Sequence, residues 1–78
     1  MNKPFVGQTV TFKTNEKQRI AMEVNGDNTQ EVLPATIVAV WSKETVNLKV
    51  QVDGRSADLW VTSVQKGTGE YEWQPIDE

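Results

Sequence analysis

"TIVAVWSKETVNLKVQVDGRSAD" runs from Thr36 to Asp58 and leads directly into "LWVTSV" at 59–64. In its first segment Ile37, Ala39 and Trp41 share one parity, and Val38 and Val40 share the other. A strand alternates its side chains between two faces, so one buried face needs only one apolar parity. Apolar residues on both parities mean that the second face also meets something. Taking Asp53-Gly54 as the centre of a type I′ hairpin turn sets Val52 opposite Arg55, Val50 opposite Ala57, Leu48 opposite Leu59 and Val46 opposite Val61. Taking "SKET" (Ser42 to Thr45) as a loop sets Trp41 opposite Val46, Ala39 opposite Leu48, Ile37 opposite Val50 and Ala35 opposite Val52. Both hairpins then put apolar residues on the same face of the middle strand, and a one-residue slip would break that agreement. The expected core is Ala35, Ile37, Ala39, Trp41, Val46, Leu48, Val50, Leu59 and Val61, closed by Val10 and Phe12.

The same pairing fixes the opposite face. Val40, Asn47 and Trp60 form one row, and Val38, Lys49 and Asp58 the next, with Lys49 and Asp58 as a cross-strand ion pair. An indole in water beside two valines is an exposed apolar patch, and such patches mark contact surfaces. Val38, Val40 and Trp60 are therefore the expected interface, with a second copy of the chain as the first candidate to cover it.

Elsewhere, "QTVTFK" at 8–13 alternates as a short half-buried strand. The polar stretch 14–19 reads as a loop, and Ile20, Met22 and Val24 read as a second strand ending at the Asn25-Gly26 turn signal. Residues 27–32 continue a hairpin or form a long loop that ends at Pro34. "TSVQKGTG" reads as a turn and loop, and "YEWQPI" as a last strand carrying Tyr71 and Trp73 on one face. Short antiparallel strands joined by turns point to a single all-β domain over residues 1–78, expected as a small five-stranded SH3-like barrel, with an OB-type barrel as the alternative.

Composition narrows the chemistry. The 78 residues include no cysteine and no histidine, which removes disulfides, thiolate nucleophiles and the commonest metal ligand. No spacing resembles a metal loop, a phosphate-cradling glycine motif or a nucleophile elbow, so no catalytic residue, metal or cofactor is expected and the protein reads as a non-enzyme. Eight basic against 11 acidic side chains argue against nucleic-acid polymers, whose binding depends on neutralising phosphates. One small anion held by a few basic groups remains compatible with that balance. No apolar run approaches the roughly 20 residues of a membrane span, and "MNKPFVGQ" has no hydrophobic signal region, so a cytoplasmic protein is expected.

The pattern V-W-S, V-N-L-x-V, D-G, W-x-T-S-V and a late Trp resembles a group of small phage and prophage accessory proteins. It is carried here by Val40, Trp41, Ser42, Val46, Asn47, Leu48, Val50, Asp53, Gly54, Trp60, Thr62, Ser63, Val64 and Trp73. Two departures stand out: those proteins have a longer segment after D-G and a Pro-rich approach to the final Trp, where this chain has "RSAD" and "KGTGEYEW". The resemblance implies a phage-encoded protein in a host cytoplasm that counters host defence, by sequestering a nucleotide signal or by binding a host protein. For a nucleotide, Trp60 would stack on a base and Arg55 and Lys43 would hold phosphates, with Asn47 and Trp73 as further ligand-binding candidates. In the alternative, the Val38/Val40/Trp60 face docks on a host or virion protein.

Overall fold

A computed structural model describes residues 3–54 and 57–76. Strands β1 (Thr9–Lys13), β2 (Val32–Val40), β3 (Thr45–Val50), β4 (Leu59–Lys66) and β5 (Glu72–Pro75) close into one barrel, with helix α1 (Glu16–Val24) between β1 and β2. Each strand neighbours the next in sequence, and β5 pairs with β1 to complete the circle. That consecutive order is an SH3-like arrangement and differs from the Greek-key path of an OB-type barrel. One pairing departs from the antiparallel expectation: β4 and β5 meet in parallel at Gln65 opposite Glu72 and Lys66 opposite Trp73.

The expected strand at 20–24 is a helix, and its start shows why. The Asn15 side chain accepts from the Gln18 N–H (2.8 Å), while Gln18 Oε1 accepts from the Asn15 N–H (2.9 Å). This reciprocal capping box satisfies two donors that a helix start leaves open. "EKQRIAM" then supplies good helix formers, and Gly26 at φ +81° ends the element. Met22 is its buried residue, so Ile20 and Val24 stay in water, one turn apart on the same stripe. Arg19 anchors the helix to the rest of the fold through the Thr14 carbonyl and the Glu70 carboxylate (2.9 Å).

The core is Val10, Phe12, Met22, Leu33, Ala35, Ile37, Val46, Leu48, Val50, Val61, Val64 and Trp73, with Val52, Leu59 and Tyr71 packed against it. Pairing is displaced from the expectation by two residues: Ala35 lies opposite Val50, Ile37 opposite Leu48 and Val50 opposite Leu59. A shift of two keeps every side chain on its face, so most of the expected core survives it. Two bulges do the rest. Between Ile37/Leu48 and Ala39/Asn47, β2 advances two residues while β3 advances one. Between Val46/Val64 and Leu48/Val61, β4 advances three residues while β3 advances two. An extra residue inverts parity beyond it. Ala39 is thereby only half-buried, Trp41 leaves the core, and Val64 enters it beside Val61. The strand β4 continues through the bulge to Lys66, where a turn and loop was expected.

Asp53-Gly54 is not a two-residue hairpin turn. The strands end at Val50 and restart at Leu59, and Gly54 does not take the positive φ that a type I′ turn requires. The segment docks instead on the loop after α1. The Asn28 N–H donates to the Asp53 carbonyl (2.9 Å), and Asn28 Nδ2 donates to Asp53 Oδ2 (2.7 Å). Gly54 is needed for close approach, since a Cβ there would lie 2.7 Å from the Asp27 Cα. The expected partner Arg55, and Ser56, lie outside the described residues.

Candidate functional surface

The outer face of β2, β3 and β4 is built around Asn47, which lies opposite both bulges. A bulge frees a backbone N–H from the ladder, and that donor needs a partner when it is buried. Asn47 Oδ1 accepts from the Ser63 N–H (2.9 Å) and from the Trp41 indole Nε1–H (2.9 Å). Ser63 sits at φ +53°, the left-handed conformation that the β4 bulge imposes. A single carboxamide oxygen thus ties β3 to the β4 bulge and to the residue that follows β2, and aims one indole. Asn47 was expected to bind ligand. It is buried, and the structure gives its acceptor oxygen to the fold.

Trp41 is the residue that the sequence reading misplaced most. It was expected in the core and is 65% exposed, carried to the outer side by the extra residue in β2. Trp60 was expected outside and is 62% exposed. Thr36, Lys49 and Trp60 form one cross-strand row, so Lys49 lies opposite Trp60 and the expected Lys49–Asp58 pair does not form. Val38, at the β2 bulge, is exposed. Val40 is also exposed, but it now lies opposite buried Val46 at the end of the barrel rather than opposite Asn47. Lys43 is exposed in the β2–β3 loop, two residues from Trp41. That loop is held by Trp41 and Ser42 N–H groups donating to the Thr45 carbonyl (2.9 and 3.2 Å). The candidate Arg55 lies outside the described residues.

Trp73 belongs to the core. It is 2% exposed and its Nε1–H donates to the Glu44 carbonyl (2.9 Å), so it closes the barrel where a ligand role was also considered. The described surface thus combines two outward indoles, Val38 and the cations Lys43 and Lys49, with Val40 exposed at the adjoining end of the barrel. Among the described residues, no group of acidic side chains could hold a metal ion, and no helix is long and apolar enough to cross a membrane. In comparisons with protein-family models, curated proteins and solved structures, nothing matches the chain.

Proposed function

We propose that this chain is a non-enzymatic binding protein whose working surface is the outer face of β2, β3 and β4. The observation that carries the reading is the pair of exposed indoles, Trp41 and Trp60, on that one face. With Val38 they make an exposed apolar group on that face, and such groups are candidates for contact surfaces. Copies of the chain associate through Val38 and Trp60, with Val40 at the adjoining end of the barrel. Trp41 and Lys43 then border the contact, where an indole stacks on a base and an ammonium attracts a phosphate. The ligand is a small nucleotide, and its sequestration is the activity. The resemblance to phage accessory proteins gives this its setting, the removal of a nucleotide signal used in host defence.

The test is mass spectrometry of small molecules that co-purify from a lysate with active defence signalling, followed by titration of tryptophan fluorescence. A nucleotide released on denaturation, and quenching lost in Trp41→Ala, support the reading. A ligand-free protein whose fluorescence no nucleotide alters contradicts it. The exposure of Val38 and Val40 favours a second reading, docking on a host or virion protein, which a monomeric and ligand-free wild type would bring forward.

A further inference from the structure

Asn25-Gly26 has the composition of a turn, and the fold uses it to end α1. The Asp27 N–H donates to the Met22 carbonyl (2.9 Å) and the Gly26 N–H to the Glu23 carbonyl (3.2 Å). These are the paired bonds of a Schellman motif, with Gly26 in its left-handed position at φ +81° and Asn25 as the exposed cap residue. Asn15, Asn28 and Asn47 use their carboxamides to hold the fold, on Gln18, on Asp53 and on Ser63 with Trp41. The Asn25 carboxamide makes no hydrogen bond among the described residues.

We propose that Asn25 is a site of spontaneous deamidation, gated by the opening of this cap. The Gly26 backbone nitrogen attacks the Asn25 side-chain carbonyl carbon, Cγ. The new C–N bond closes a succinimide ring, and the side-chain nitrogen leaves as ammonia, taking up the Gly26 amide proton through water. Water then opens the ring at either carbonyl and leaves an aspartyl or an isoaspartyl linkage. Glycine makes the attack feasible because no Cβ shields its nitrogen. Asn15, Asn28 and Asn47 are followed by the bulkier Glu16, Thr29 and Leu48.

The folded cap holds the reaction back in two ways. With Asn25 at ψ −3°, the Gly26 nitrogen eclipses the Asn25 nitrogen, whereas ring closure needs it on the Cβ side. Its N–H is also committed to the Glu23 carbonyl. The reaction therefore runs from the state in which the last turn of α1 has frayed, and such ends open at little free-energy cost. The product then loosens the cap that gated it. An isoaspartyl linkage adds a methylene to the backbone between the Met22 carbonyl and the Asp27 N–H, and either product puts a carboxylate at the negative end of the helix dipole. This site stands apart from the outer face and its nucleotide reading.

Peptide mapping by mass spectrometry tests it, on native protein and on the same chain in guanidinium chloride, both held in mildly alkaline buffer, with isoaspartate labelled by its specific methyltransferase. Amide loss is expected at Asn25 before any other asparagine. In the native protein it should be slower than in denaturant by at least about threefold, the population factor of one net hydrogen bond. That ratio should match the hydrogen-exchange protection of the Gly26 amide in the native protein, because both processes use the same opening. A native protein that keeps its Asn25 amide, earlier loss at another asparagine, equal rates in the two states, or a ratio unrelated to Gly26 protection would each overturn the proposal.

Discussion

Asn47→Ala removes the one acceptor shared by Trp41 and Ser63, and the structure sets the size of the effect. The two bonds are both 2.9 Å, and Asn47 is 8% exposed, so water cannot simply replace its oxygen. The Ser63 N–H is tied to the bulge and loses its partner; the bond is part-buried, so the loss lies toward the lower end of the about 1–3 kcal/mol of a fully buried donor. The Trp41 indole is largely exposed and can turn its N–H to solvent, so its bond adds less. A domain of this length has a total stability on the order of 4–12 kcal/mol, which makes a loss of about 2 kcal/mol plain in a urea or thermal melt. At this size that is a fall in Tm of roughly 8–16 °C. A double-mutant cycle with Trp41→Phe separates the two bonds, with an expected Trp41–Asn47 coupling of about 0.5–1.5 kcal/mol. The Ser63 amide should also exchange faster in Asn47→Ala than in wild type. A variant within about 0.5 kcal/mol of wild type, with Ser63 still protected, would refute the reasoning.

Gly54→Asn should destabilise as severely as Gly54→Val, because the side chain meets Asp27 whatever φ it tolerates. A chemical melt in which asparagine alone is accepted would restore the type I′ turn. Ser63→Gly should be neutral or stabilising by up to about 1 kcal/mol, since glycine adopts the left-handed conformation without a Cβ clash. A clear loss of stability in the same urea assay would show that the Ser63 side chain, rather than its backbone, holds the bulge.

The second half of the chain was legible to the extent that alternation survives. Ile37, Leu48, Val50 and Val61 are buried as expected because their pairing differs by an even number of residues, and Val46 is buried because β3 itself carries no inserted residue. Bulges are harder to read, since an inserted residue changes parity without changing composition. One sign was present: Val61 and Val64 are both core, and a spacing of three in a strand requires an irregularity between them. Asn47 within an apolar run was another, explained by the Ser63 N–H at the β4 bulge and the Trp41 indole that its oxygen accepts from. The helix was missed because Ile20, Met22 and Val24 alternate like a strand, while Asn15-x-x-Gln18 carried the opposing signal of a capping box. Of the candidate site, Trp60 was legible from parity alone. Trp41 was not, because its place depends on a bulge three residues before it.

Light scattering coupled to gel filtration, at tens of micromolar protein, tests the contact-surface claim most directly. Burying an indole and two valines contributes several kcal/mol at about 25 cal/mol per Å² of apolar surface, before the cost of association. Wild type should run as an oligomer, and Trp60→Glu should run as a folded monomer with its β-sheet signal intact. A wild-type monomer, or an oligomer that Trp60→Glu leaves unchanged, would contradict the account.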